Sequence, residues 1–234
     1  VIRNKAIGIK SLGLISYETA YRIQELYYKN ILEKKKNGFA NYSGQCSPNY
    51  LLFCEHPPTY TIGSSGSTEQ LLVDTVVLKK QSIALYQTNR GGGITYHGPG
   101  QLIAYFIIDL ENFFTSIDRY LRLLEEAVIE TLAYFHIIAT QLPGLTGVWI
   151  KAANTQPHLD SKICSIGIRV SRWITMHGLA LNVNNDLEPF KQIIPCGIST
   201  KKVTSIQQEI QRTTCIKRVT AVLEKIILEK FYYS

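Results

Sequence analysis

Residues 90–102 run Arg-Gly-Gly-Gly-Ile-Thr-Tyr-His-Gly-Pro-Gly-Gln-Leu, and no other stretch of the chain gathers so much potential chemistry. Glycine lets the backbone take positive φ and approach a ligand closely. Arg90, Thr95, Tyr96 and His97 add hydrogen-bonding side chains to Gly91, Gly92, Gly93 and Ile94. A run of this kind suits a loop that holds a ligand against backbone N–H groups. The plainer reading is a glycine-rich turn between strands.

Three further positions could react. Cys196 lies in Ile-Pro-Cys-Gly-Ile, where Gly197 leaves the sulfur and the next N–H uncrowded. That arrangement suits a nucleophile with an adjacent oxyanion donor, although cysteine is often just a buried hydrophobe. Cys164 is the rival thiol, but its apolar strand neighbours predict packing. Lys162 opens the run Lys-Ile-Cys-Ser-Ile-Gly-Ile-Arg. It is either a solvated strand end or an ammonium aimed into a cleft, where it would lower a thiol pKa. His177 precedes Gly178, Leu179 and Ala180, and reads either as a proton carrier or as a core histidine. His97 could position a carbonyl, and His56, before two prolines, reads as structural. On these residues alone, Cys–His and Cys–Lys pairs both stand. No phosphate-binding P-loop, dinucleotide fingerprint or zinc-ligand spacing is present.

The elements that must position these groups follow from periodicity. Strands are expected at 5–10, 50–54, 83–87, 102–108, 147–150 and 162–170, with an extended stretch over 173–183. Helices are expected at 16–36, capped by Ser16, at 116–135, and at 214–231, capped by Thr214. Residues 34–48 read as a polar surface insertion, and 151–160 as a polar loop. Several strand connections are too short for a parallel crossover. The expectation is therefore α+β, with a mixed or antiparallel sheet packed against helices, in a single domain over 1–234.

The chain of 234 residues carries a formal charge of +7. A basic balance fits nucleic acid, an acidic protein partner, or a lysine-rich codon bias. No apolar run approaches the roughly 18 residues of a membrane span. Five scattered cysteines argue against a disulfide framework and for a reducing compartment.

Taken together, Arg90–Leu102, Lys162–Arg169 running on to His177–Asn182, and Pro195–Ile198 followed by Val203-Thr204-Ser205 resemble the signature of lipoyl(octanoyl) transferases. The segment Glu55–Gly63 is also similar to that family. The resemblance implies the fold shared by lipoate and biotin protein ligases. It implies transfer of an octanoyl group from octanoyl-acyl carrier protein to a lysine of a lipoyl domain, on 2-oxoacid dehydrogenase complexes or the glycine cleavage H protein. By matching positions, Cys196 would be the acyl-thioester nucleophile and Lys162 the residue that lowers its pKa. Arg90 to His97, Ser165, Ile166, Gly167, Gly178, Leu179 and Ala180 would line the acyl site, with His177 in support. No metal or cofactor is implied, and neither nucleic acid nor membrane is an expected partner. The alternatives are an ATP-dependent lipoate–protein ligase, which needs no cysteine nucleophile, and a non-catalytic acyl-binding module. The start at Val1, the insertion and the AT-rich residue usage lean towards a mitochondrial or plastid matrix, with the bacterial cytoplasm as the alternative.

Overall fold

The computed structural model describes residues 4–38, 47–152, 160–194 and 202–234. Its centre is a set of strands apolar on both faces. In β2 (Asn49–Glu55), β6 (Gln101–Ile107) and β10 (Ile174–Asn182) nearly every residue is buried. Alternate side chains take opposite faces. Leu51, Phe53, Leu102, Ala104 and Phe106 pack against helices α3 (Ile117–Tyr134) and α5 (Ile216–Tyr232). Leu52, Cys54, Ile103, Tyr105 and Ile107 pack against α1 (Tyr17–Gly38) on the other side.

The main sheet runs β1 (Ile7–Leu14), β2, β6, β10, β9 (Ser161–Ser171), β8 (Leu145–Ile150) and β7 (Thr140–Leu142), with β11 (Lys202–Val203) paired to β9. The β1–β2 and β9–β11 pairs are parallel and the others antiparallel. The mixed α+β expectation holds. A smaller sheet, β4 (Ala84–Gln87), β3 (Thr59–Ile62) and β5 (Ile94–His97), carries the glycine run between its outer strands. Its core is Tyr60, Ile62, Leu78, Ile94, Tyr96 and Phe190.

Several expectations need correction. The segment 34–48 starts as helix, because α1 continues to Gly38. Lys35 is tied there by Asp109 at 2.8 Å and Glu111 at 3.0 Å. Residues 39–46 of that segment, and 153–159 of the second polar loop, lie outside the described residues. The extended stretch expected over 173–183 is β10, although His177 within it has φ +62°. Thr214 does not cap α5. Asn184 holds both its N–H and its carbonyl, and the helix starts one residue later, behind Cys215. Ser16 and Ser116 do cap, each accepting a backbone N–H three residues on at 3.2 Å. β3, β5, β7 and the short α2 (Thr75–Lys80) were not anticipated; they are short elements with weak periodicity. Among the described residues, no helix is long and apolar enough to cross a membrane.

Candidate active site

The glycine run is clamped from within. Arg90 Nε and Nη2 both donate to Thr61 Oγ1, at 3.2 and 2.9 Å, and Nη2 also donates to Gly93 O at 2.9 Å. Gly92 takes φ +88°, a conformation that side-chain-bearing residues rarely adopt. Gly91 N–H donates to Ile168 O at 2.9 Å, which docks the run on β9. The approach tolerates no side chain: a Cβ on Gly63 would lie 2.2 Å from Gly92 O, and one on Gly167 would lie 2.8 Å from Gly91 O. Arg90 therefore shapes the loop, its guanidinium being engaged with the protein's own carbonyls and hydroxyl.

Between this loop and strands β9 and β10 lies a cavity of about 360 Å³, near the low end of the ~300–1,000 Å³ typical of small-molecule sites. Its walls include Arg90, Gly91, Gly92, Gly93, Ile94, Thr95, His97, Lys162, Ser165, Ile166, Gly167, His177, Gly178, Leu179 and Ala180. Every described candidate is brought together there except Tyr96. Its ring turns away, packing on Tyr60 and Phe190 at 5.5 Å each. Cys196 lies outside the described residues.

Around the fixed cation of Arg90, the histidines of this part of the cavity are neutral. His97 Nδ1 meets Gln101 Oε1 at 2.9 Å, and its Nε2 meets Thr61 Oγ1 at 3.1 Å. With Arg90 donating to Thr61, the threonine hydroxyl is left to donate to Nε2, so His97 carries its proton on Nδ1. Burial, with Arg90 and His56 nearby, pushes the His97 pKa down to about 3. Burial, with Arg90 and Arg169, does the same for His177, whose Nε2 meets Asn89 Oδ1 at 2.7 Å. Both rings are neutral at pH 7 and are weak bases. His56 is wholly buried, bridging Ile15 O and Tyr105 Oη at 2.7 Å each, as a structural residue would.

The other part carries charge. Lys162, second in β9, reaches across to Thr146 O at 3.2 Å and sits over the Trp149 ring at 4.6 Å. Cys164, two residues on, is fully buried and its thiol pKa is pushed up by that burial, so it is a packed residue. β11 pairs with β9 beside Lys162, Val203 lying in register with it. On the other flank of the Cys196 segment, Ile194 N–H donates to Gln70 O at 2.8 Å. The Gln70 side chain in turn accepts from Ile94 N–H at 3.2 Å. Both described flanks of that segment are thus anchored to elements that frame the cavity.

Sequence reasoning missed Tyr17, Ile103, Tyr105, Leu121, Thr146 and Trp149 as lining residues. Each comes from an element whose local pattern says only that it is core. Thr61, which organises Arg90 and His97, gave no signal beyond its place in the run 55–63.

The model of the lipoyl protein ligase A/B catalytic domain matches residues 16–228. An octanoyltransferase of Cytophaga hutchinsonii is 48% identical over 230 residues, covering 97% of this chain and 93% of that protein. One from Bacteroides fragilis is 42% identical over 215 residues, covering 92% and 93%. Among solved structures, a bipartite lipoate protein ligase from Thermoplasma acidophilum superposes with TM-score 0.69 at 20% identity, covering 96% of this chain and 84% of that one. A lipoate-protein ligase A bound with ATP gives TM-score 0.68 at 19% identity, covering 97% and 86%. The structural matches bear on the fold. The named sequence relatives are bacterial, which fits the bacterial alternative and lends no support to an organelle.

Proposed function

This chain belongs to the lipoyl protein ligase A/B catalytic-domain family, as an octanoyltransferase, and from that premise we propose a two-step acyl transfer centred on Cys196 and Lys162. The Cys196 thiolate attacks the octanoyl thioester on acyl carrier protein, and the carrier thiol leaves. The amine of a lipoyl-domain lysine then attacks the octanoyl-enzyme, and the thiolate is released as the amide forms. Lys162 hands its proton to the departing carrier thiol and recovers one from the attacking amine. Thioester exchange is nearly neutral in energy and amide formation draws the sequence forward, so the reaction needs no ATP.

The observation that carries this reading is the placement of Lys162. It lines the cavity that the glycine run encloses, and β11, which ends the Cys196 segment, pairs at its side. At the other end, Cys196 is two residues from Ile194, whose N–H is fixed by Gln70; two trans peptides reach at most about 7.6 Å. The neutral state of His97 and His177 supports lysine over histidine as the proton carrier.

Lowering a thiol pKa contributes little by itself. A drop from about 8.5 to about 6.5 raises the thiolate fraction at pH 7 roughly 25-fold. Intrinsic nucleophilicity falls roughly 8-fold over the same range, leaving about threefold. Proton transfer and positioning supply the rest.

The donor is octanoyl-acyl carrier protein and the acceptors are lipoyl domains, in a bacterial cytoplasm. The formal charge of +7 favours encounter with an acidic carrier, and added salt slows the first step. The test is intact-mass measurement after mixing the enzyme with octanoyl-acyl carrier protein without ATP. One octanoyl group, released by hydroxylamine and absent from Cys196→Ser, is expected. Absence of both adduct and ATP-free transfer to a lipoyl domain would overturn the reading in favour of a ligase or a binding module.

A further inference from the structure

Glu125 projects from α3 into the protein, its side chain fully covered, on an element that sequence and mechanism leave without a chemical role. A buried carboxylate is costly unless its oxygens are engaged. One oxygen, Oε1, accepts the N–H of Gly147 at 2.9 Å. The carbonyl of that same peptide unit, Thr146 O, accepts from Lys162 Nζ at 3.2 Å. Carboxylate, peptide and ammonium thus form one line.

We infer that Glu125 is a positioning residue for the acyl transfer, holding the Lys162 amine through the 146–147 peptide. The inference rests on the reading of Lys162 as proton carrier. A carboxylate drawing on the N–H makes the carbonyl across the peptide a stronger acceptor, because linked hydrogen bonds polarise one another. The backbone is shaped for this. The β8–β9 register slips between Val148 and Trp149, and Gly147 takes φ +120°. Bulges of this kind re-aim groups beside active sites. Only glycine fits, since a Cβ there would lie 2.6 Å from Cys164 O.

The groups facing Glu125 are Arg122 and Glu126 on its own helix, and Lys162 and Cys164 on β9. Arg122 Nη1 is 2.7 Å from Oε2 but is not aligned as a hydrogen bond, and it is 42% exposed, so solvent screens it. Burial raises the Glu125 pKa, opposed by the Gly147 N–H, Arg122 and Lys162.

The experiment labels the folded enzyme competitively with acetic anhydride and reads Lys162 by peptide mass against the exposed lysines. In Glu125→Gln the relative labelling of Lys162 is expected to rise several-fold, because the amine is no longer held. Single-turnover transfer from octanoyl-enzyme to a lipoyl domain is expected to slow in the parent background and to slow no further in Lys162→Ala, because the two residues act as one unit. Unchanged labelling, or equal slowing in both backgrounds, would overturn the inference. If Lys162→Ala itself keeps transfer within about threefold, the proton-carrier reading fails, whatever the labelling does. Should Glu125→Gln not melt cooperatively, Glu125→Asp carries the same test, with a smaller rise in labelling expected and no change overturning the inference.

Discussion

The two parts of the cavity solve opposite problems. Towards Ile168, the polar groups satisfy one another and keep one protonation state at neutral pH: the Arg90 cation with Thr61, Thr61 with the neutral His97, His97 with Gln101. Towards Lys162, about 20 Å away along six residues of β9, the polar groups are charged, and a peptide unit passes the influence of one to another. The first part is complete without substrate and serves as a wall. The second is arranged around the Lys162 amine, which in the proposed transfer gains and loses a proton. A polar residue in a cavity is therefore not by itself a chemical group; what matters is whether its partners leave it able to change protonation at neutral pH.

Removing the amine tests the charged part most severely. Lys162→Ala should lower the transfer rate by about 10²–10⁴, the range of a general acid–base group, with little change in melting temperature. A loss of only about threefold would mean that the lysine acts on thiol ionisation alone. Next, acid should break the part built on neutral histidines. The folded pKa values of His97 and His177 are near 3, below the usual 6.5. The unfolded chain therefore binds more protons between those limits, and stability is lost as pH falls from about 6.5 towards 3. Each ring contributes a slope of up to about 1.4 kcal/mol per pH unit. Denaturant melts at pH 7, 6 and 5 would measure it, and equal stabilities would show that the rings charge freely in the fold. The smallest effect reads the apolar lining. Two fewer methylenes should cost about 1.6 kcal/mol at about 0.8 kcal/mol each, so a hexanoyl donor should fall roughly 15-fold in kcat/KM. Equal values for hexanoyl and octanoyl donors would mean that the cavity does not hold the chain.

The sequence carried the long elements and the glycine-run chemistry well, and for stated reasons. β6 and β10 are apolar on both faces, and α3 keeps its helical spacing, so their periods were plain. Arg90, Lys162 and His177 sit in distinctive local runs, and the structure brings them to one cavity. Two kinds of feature stayed hidden. Tyr96 alternates outward along β5, but a strand of four residues inside a glycine-rich run has too little period to show its face. Glu125 looks like any charged residue on an amphipathic helix; its role depends on Gly147, more than twenty positions away, which no spacing rule connects to it. His97 was legible as a polar residue in the site, but its neutrality comes from burial and from His56 and Arg90 nearby, while Thr61 and Gln101, on two different sheets, set its tautomer.

The close contacts of Gly63 with Gly92, and of Gly178 with Ala104, where an added Cβ would meet a carbonyl oxygen at 2.2 Å in each case, bear on how such an enzyme can diversify. At these contacts main chain lies against main chain, so they offer no side chain to exchange for a shorter or longer one. If the cavity holds the acyl chain, as proposed, drift in chain-length preference would run instead through lining side chains such as Leu121 and Leu145, which border it from separate elements. A library aimed at those two sites would explore substrate range, while one aimed at the glycines would mostly return unfolded protein.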